Sequence, residues 1–218
     1  MTNVKIESIR RAAIIGIVGA TATAISGVVV QGVVQPETSV SDDRWSYPFS
    51  SAALVPMSIF GALLHVLIFV AVLGFMRSGL SGGSRTARVG LFLALAGTAL
   101  LFVGELASIP VRHQSVDDTG AWIAGVFFGI GGLLSAVGFI AAGVTTARAG
   151  LWQGWRRYTP LATGISLCVV LGLQPIDVLD AGIAVYGLCL LAFAIALYTQ
   201  PAPYRATALP LRPQEQGV

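Results

Sequence analysis

Long apolar runs alternate with short polar segments along this chain. Runs of about 20 apolar residues match the length of an α-helix that crosses a ~30 Å hydrocarbon core. A membrane β-barrel would instead alternate residue by residue over segments of about 10 residues. The pattern therefore predicts an all-α fold, a polytopic membrane protein with six transmembrane helices in one domain. The predicted spans are residues 12–34, 51–76, 89–110, 121–147, 160–176 and 181–199, followed by a disordered cytoplasmic tail, 200–218.

The first apolar run has features of two kinds of segment. A basic start and the small residues Ala22, Thr23 and Ala24 are typical of a cleaved signal peptide. The run continues about ten residues past that point, however, to a full spanning length. We therefore expect a retained first helix.

The distribution of Lys and Arg predicts the orientation. Cytoplasmic loops of membrane proteins carry an excess of these residues. Eleven of them lie before the first span, in the second and fourth connections and in the tail, whereas the other connections hold only Arg44 and Arg112. We expect a multi-pass plasma-membrane protein with both termini in the cytoplasm.

An internal repeat runs through the same pattern. Ser41-Asp42-Asp43 before the second span resembles Ser115–Asp118 before the fourth, and Gly79-Leu80 after the second resembles Gly150-Leu151 after the fourth. Gly61, Leu63, Leu64, Phe69 and Ala71 recur seventy residues later as Gly131, Leu133, Leu134, Phe139 and Ala141. These matches indicate a duplicated helical hairpin.

Composition supports the membrane class and narrows the partners. The chain is 55% hydrophobic and 11% charged with a mean hydropathy of +0.81, whereas soluble domains carry about 25% charged residues. The net charge of +3 does not predict a nucleic-acid partner, because the basic residues lie in short connections. Cys168 and Cys189 fall within apolar runs, and no Cys/His cluster predicts a metal or a cofactor.

Small residues at four-residue spacing predict the helix contacts. Membrane helices associate where small side chains let backbones approach. The first, third and fourth spans carry such faces, for example Gly16-Ala20-Ala24, Gly90-Ala94 and Gly125-Gly129. We expect these three helices to form the closely packed centre.

Glu105 is the only carboxylate well inside a predicted span. It lies about 26 Å along the helix from Arg88, within about two turns of the outer surface. Ionisable residues in a membrane are costly and often functional. Arg112, Gln31 and Gln174 are the predicted partners. Glu105 is then a hydrogen-bonded lock between helices, a substrate, ion or proton site, or an incidental residue at the lipid interface.

His65 lies near the middle of the second span, about 21 Å from its outer end. This depth does not predict direct contact with Glu105. The imidazole either donates to a neighbouring carbonyl or serine, or relays protons to Glu105 through water. A hydrolase using Ser135 or Ser166 is disfavoured, because no nucleophile motif surrounds either serine.

An aromatic and basic cluster follows the fourth span. Trp152, Trp155, Arg156 and Arg157 are typical of an anchor at the membrane interface, with attraction to anionic lipid headgroups on the cytoplasmic side. A docking site for a soluble protein partner is the alternative.

The segments SDDRWSYPF, ELASIP and GLWQGWRRYTP resemble those of small multispanning integral membrane proteins of high-GC Gram-positive bacteria. That group has no assigned activity, so the resemblance implies the topology and no catalytic residues.

Three functions are consistent with these features. The first is a non-catalytic membrane component that binds a small molecule, a lipid or a partner, including a homo-oligomer, with Glu105 and His65 as its polar core. The second is a small secondary transporter, proton-coupled through Glu105. A membrane-embedded enzyme ranks last, because no catalytic constellation is present in the sequence.

Overall fold

The computed structural model describes residues 3–173 and 178–199, which form helices and connecting turns without a β-strand. The main helices are α1 Asn3–Val29, α2 Ser51–Ser78, α3 Arg85–Ser108, α4 Thr119–Ala149, α5 Thr159–Leu173 and α6 Leu179–Tyr198. A π-helical turn, Val30–Val34, and a final turn, Gln35–Glu37, extend α1, and a 3₁₀ turn, Gly154–Tyr158, precedes α5. The predicted all-α class is confirmed.

Five helices of the described chain are long and apolar enough to cross a membrane: Ile6–Glu37, Ser51–Ser78, Arg85–Ser108, Thr119–Ala149 and Leu179–Tyr198. The remaining helix, α5, has 15 described residues, a length of about 22 Å that falls short of a ~30 Å hydrocarbon core. The predicted count of six spans is therefore not confirmed. The last three residues of the predicted fifth span, 174–176, and the predicted disordered tail lie outside the described residues.

Local sequence signals define the helix ends. The hydroxyls of Ser50 and Ser84 accept hydrogen bonds from the backbone N–H of Ala53 and Ala87, which caps α2 and α3. Gly79 and Gly150 end α2 and α4 in the left-handed conformation, with φ of 76° and 64°. Only glycine adopts that conformation without strain. The Gly-Leu pairs of the predicted repeat thus have the same local role, although the duplication itself stays a prediction.

The helices form a closed ring. Each packs mainly against its neighbours in sequence, and α6 packs against α1. One end of the ring, which we call the basic end, holds residues 79–84 and 150–158. The other, the acidic end, holds residues 38–50 and 109–118. The arginines of the basic end are Arg10, Arg11, Arg77, Arg85, Arg88, Arg148, Arg156 and Arg157, and the described carboxylates of the acidic end are Glu37, Asp42, Asp43, Asp117, Asp118 and Asp180.

Glycines bring α3 and α4 into backbone contact, as predicted for this pair of helices, but the predicted Gly125-Gly129 face is not the one in contact: a Cβ atom on Gly125 would meet only the Trp45 ring, and one on Gly129 would meet no described atom within 4 Å. A Cβ atom on Gly138 would lie 2.8 Å from Ala94 Cα and 2.6 Å from the Gly90 carbonyl oxygen. Farther along the interface, a Cβ atom on Gly131 would lie 2.9 Å from the Leu101 nitrogen. No side chain larger than hydrogen fits these positions without separating the helices.

The predicted place of α1 beside α3 and α4 is wrong. A Cβ atom on Gly27 would lie 2.6 Å from the Ala184 nitrogen of α6, and one on Gly16 would lie 2.5 Å from Ala71 Cβ of α2. The small residues of α1 therefore contact α6 and α2. Small residues show that another backbone comes close, but they do not show which one.

Aromatic rings fill the interior near the basic end. Phe75 stacks on Trp152 with ring centroids 5.3 Å apart and meets Phe193 edge-on at 5.1 Å. Phe139 also meets Phe193 edge-on, at 5.8 Å. Trp152 is only 1% exposed, so it is a core residue and the prediction of an interface anchor is wrong for it. We call these four residues the aromatic plug.

The first prediction compares two glycines of α4. Gly138→Ala should lower the free energy of unfolding by about 1–3 kcal/mol, because the added methyl group overlaps the backbone of α3. A Cβ atom on Gly129 would have no atom of another described segment within 4 Å, so Gly129→Ala should leave stability unchanged or raise it by up to about 1 kcal/mol. Unfolding titrations in mild detergent measure both, and equal effects would contradict the close α3–α4 approach.

Candidate functional site

A cavity of about 580 Å³ lies inside the ring toward the acidic end. Small-molecule sites in proteins span about 300–1,000 Å³. All of the main helices contribute to its wall, and residues 42–49 contribute from the connection between α1 and α2. Its side chains are mostly aliphatic and aromatic, with a small set of polar groups: Thr23, Ser26, Asp42, Arg44, Ser58, His65, Glu105, Ser108, Asp180 and Tyr186.

Two connections cross the acidic end beside the cavity and are tied together. The Trp45 N–H donates to the Gln114 carbonyl at 3.0 Å, and the Val116 N–H donates to the Asp43 carbonyl at 2.8 Å. The Arg44 guanidinium donates to the His113 carbonyl at 3.2 Å. The Trp45 ring packs against Phe128, with centroids 6.4 Å apart. These contacts place Arg44 and Trp45 in the cavity wall.

His65 and Glu105 meet inside this cavity. His65 Nε2 lies 3.7 Å from Glu105 Oε1, and the two side chains are 17% and 21% exposed. The expectation that they would not contact each other directly is wrong. Helical side chains tilt toward the N-terminus of their own helix. Because α2 and α3 run in opposite directions, the two side chains lean toward each other. This tilt makes up the difference in depth between His65 and Glu105 that was calculated from the number of residues along each helix.

Gly61 provides the space for the Glu105 carboxylate. It lies one helical turn from His65 on α2, on the same face. A Cβ atom on Gly61 would lie 2.5 Å from Glu105 Oε1 and 2.6 Å from Cδ. The carboxylate therefore rests against the bare backbone of α2, which directs it at the imidazole.

The second ring nitrogen of His65 has no hydrogen-bond partner among the residues that the structure describes. Nδ1 is buried and makes no hydrogen bond within the described chain. The predicted donation to a neighbouring carbonyl or serine is therefore not found. A buried polar atom without a partner costs free energy and often marks a functional position. Since His65 lines the cavity, this imidazole is a polar group that a bound ligand can reach.

The other predicted polar residues have different roles. The Arg112 guanidinium donates to the Ile109 carbonyl at 2.9 Å, and the Arg112 carbonyl accepts from Ser51 Oγ at 3.0 Å. Gln31 Oε1 accepts from the Ala181 N–H at 3.1 Å, which joins α1 to the start of α6. Gln174 lies outside the described residues. Of the predicted set, the cavity wall brings together Glu105 and His65.

Sequence reasoning missed Asp180 and Tyr186. The predicted sixth span begins at residue 181, which leaves Asp180 in the connection before it, whereas Asp180 lies in the first turn of α6 and lines the cavity. Tyr186 also lines the cavity and is 5% exposed. Asp180, Ile183 and Tyr186 follow at three-residue spacing, which places them on one helical face. That spacing was a signal available in the sequence.

The two candidate nucleophiles do not engage the histidine. Ser166 Oγ donates to the Thr163 carbonyl at 2.9 Å. Ser135 Oγ is buried against Gly97 in the α3–α4 interface. Neither Ser135 Oγ nor His65 Nδ1 has a hydrogen-bond partner in the described residues, so no serine–histidine hydrogen bond links them. A nucleophile and its base need such contact.

The second prediction tests the contact between the Glu105 carboxylate and Gly61. Because the carboxylate is the end of a flexible side chain, Gly61→Ala should push it away from His65 rather than break the fold. The ring-nitrogen chemical shifts of His65 should then change as they do in Glu105→Gln. Nitrogen NMR of labelled protein measures this, and the exposed His113 serves as an internal control that should not shift. If the ring-nitrogen chemical shifts of His65 in Gly61→Ala equal those of the wild type, the contact between Glu105 and Gly61 is contradicted.

Comparison with protein-family models, with curated protein sequences and with solved structures finds no match for this chain. The function is therefore inferred from the residues and geometry of the cavity.

Proposed function

We propose that this integral membrane protein binds a small amphipathic molecule in the cavity at its acidic end. The observation that carries the proposal is the cavity itself, about 580 Å³ in volume and containing the His65–Glu105 pair. Ligand sites combine an apolar wall with a few polar groups that orient the ligand. If His65 and Glu105 served only to hold two helices together, the pair would need no cavity beside it.

The plasma membrane is the proposed location, with the basic end in the cytoplasm. The eleven-to-two distribution of Lys and Arg supports this orientation, which places the cavity toward the external side. Labelling of Asp117→Cys by a membrane-impermeant maleimide in intact cells checks it, after Cys168 and Cys189 are replaced by alanine. Labelling only in broken cells would reverse the orientation.

The remaining basic and aromatic cluster is proposed to hold the basic end at anionic lipid headgroups. Trp155 and Tyr158 are 53% and 47% exposed. The Arg157 guanidinium lies 4.5 Å from the Tyr158 ring centroid, and that of Arg156 lies 6.0 Å from the Trp155 centroid. Exposed aromatic rings beside arginines are typical of the membrane interface.

The third prediction tests ligand binding in the cavity. In a thermal-shift screen of lipids and metabolites in mild detergent, at least one compound should raise the melting temperature of the wild type. A compound at 100 times its dissociation constant stabilises the folded state by about 2.7 kcal/mol. The shift should be lost or much reduced in Glu105→Gln and retained in Asp117→Asn, which changes an exposed carboxylate outside the cavity wall.

The screen has a clear negative outcome. If Glu105→Gln melts at a lower temperature and no compound stabilises the wild type, Glu105 is a structural lock. A compound that stabilises the wild type and Glu105→Gln equally binds elsewhere, and it would also contradict the proposal.

A second candidate is a secondary transporter coupled to protons through Glu105. Two observations favour it: the cavity lies toward one end of the ring while the aromatic plug closes the other, and the cavity contains a paired imidazole and carboxylate. Transporters alternate access to a central site by opening one end at a time. Such a mechanism requires the plug to open.

The fourth prediction separates transport from binding. Proteoliposomes filled with a pH-sensitive dye should acidify or alkalinise inside when a compound found in the screen is added outside. Glu105→Gln should abolish that proton movement, and Asp117→Asn should not. Binding without proton movement or compound uptake leaves the binding role and eliminates the transporter.

A further inference from the structure

We infer that the ligand of this cavity is an organic cation with an apolar body, such as a quaternary ammonium or phosphonium compound. The inference rests on the proposed ligand-binding function and names the chemical class of the ligand. Formal charge, aromatic lining and unpaired hydroxyl groups in the cavity wall each support it.

Formal negative charge exceeds positive charge in the wall. Among its described residues, Glu105 and Asp180 are partly buried carboxyl groups, whereas Asp42 and Arg44 are both exposed to solvent. The exposed Asp42 and Arg44 offset each other in formal charge, so even with His65 protonated two partly buried carboxylates face one partly buried cation. The Arg44 guanidinium also donates to the His113 carbonyl, so part of its hydrogen-bonding capacity is already used. An apolar cavity with excess negative charge favours a cation, because low-dielectric walls strengthen the field.

Aromatic side chains surround the same space. The wall contains Trp45, Tyr47, Phe49, Phe60, Phe128 and Tyr186. The faces of such rings attract ammonium-type cations, and clusters of them recognise quaternary ammonium groups. Rings also offer apolar contact to the body of the ligand. Carboxylates and aromatic faces in one cavity therefore favour a cation with hydrophobic substituents over an inorganic ion.

Two hydroxyl groups in the cavity wall are available to such a ligand. Ser58 is 2% exposed and Tyr186 is 5% exposed, and both line the cavity. Within the described residues neither hydroxyl makes a hydrogen bond to protein. Their oxygens are acceptors that can contact a cationic group or its N–H donors.

An anionic ligand is disfavoured by the same geometry. Helix N-termini attract anions through their free N–H groups, and α6 begins beside the cavity. The Ala181 N–H, however, already donates to Gln31 Oε1 at 3.1 Å, and Asp180 in the first turn of α6 adds a carboxylate there.

The experiment uses two probes of nearly identical size and shape, tetraphenylphosphonium and tetraphenylborate, with triphenylphosphine oxide as a neutral analogue. Ser58→Cys is introduced into the full chain with Cys168→Ala and Cys189→Ala. Ser58 makes no hydrogen bond to any residue that the structure describes, so its replacement removes none of the described hydrogen bonds. Each probe is titrated against methyl methanethiosulfonate labelling of residue 58 in lipid nanodiscs. Free probe concentrations are corrected by partitioning into protein-free nanodiscs.

Tetraphenylphosphonium should protect residue 58 at a concentration about tenfold or more below that needed for tetraphenylborate, a difference that one favourable charge contact readily supplies. The preference should fall toward unity in Glu105→Gln and in Asp180→Asn, and remain in Asp117→Asn. Melting temperatures of each variant confirm that it is folded.

The other outcomes are distinguishable. Equal protection by all three probes would overturn the cation preference while leaving a ligand-binding cavity. Stronger protection by tetraphenylborate would overturn the cation and favour an anion. Rapid labelling that no probe slows, in a protein that also gives no hit in the thermal-shift screen, would remove the proposed function itself.

Discussion

Close backbone approach at glycines is the constraint on which this bundle depends. Lipid tails solvate apolar side chains as well as a protein interior does, so helices in a membrane associate through packing rather than through expulsion from water. At Gly138 and Gly131 the backbones of α3 and α4 touch, and at Gly27 and Gly187 those of α1 and α6 do. These tight pairs set the positions of their neighbours around the ring. Near the basic end the aromatic plug fills the space between them, whereas toward the acidic end the space remains as the cavity.

In the cavity, the absence of a side chain on a glycine has a different role. Gly61 brings no helix closer; it instead leaves room for the carboxylate of Glu105 against the backbone of α2. That seat holds the carboxylate 3.7 Å from the imidazole of His65. Placing two ionisable groups in a membrane interior is unfavourable unless they are paired or solvated. Their pairing beside a cavity is the observation on which the proposed ligand-binding function rests.

Much of the fold could be predicted, because membrane helices are defined locally. The predicted span 51–76 corresponds to Ser51–Ser78, and 121–147 corresponds to Thr119–Ala149, since apolar length and capping residues act within a few turns. The fifth span was predicted from an apolar run that crosses into Gln174 and Pro175, and its described helix has only 15 residues. Glu105 and His65 were recognised singly, because an ionisable residue in an apolar run is conspicuous. The contact between them was not predicted, because the number of residues along each helix does not show the direction in which each side chain leans.

The sequence by itself determined the class of the protein, the approximate helix bounds and the separation of arginines from acidic residues. Each of these depends on neighbours along the chain and on the fixed thickness of a bilayer. Only the tertiary structure decided which helices touch, that the ring closes through α6 and α1, that Trp152 is a core residue, and that Asp180 and Tyr186 share a cavity with Glu105. These features depend on how the surfaces of two helices fit together. A face of small residues or a single polar residue in the sequence describes only one of the two surfaces.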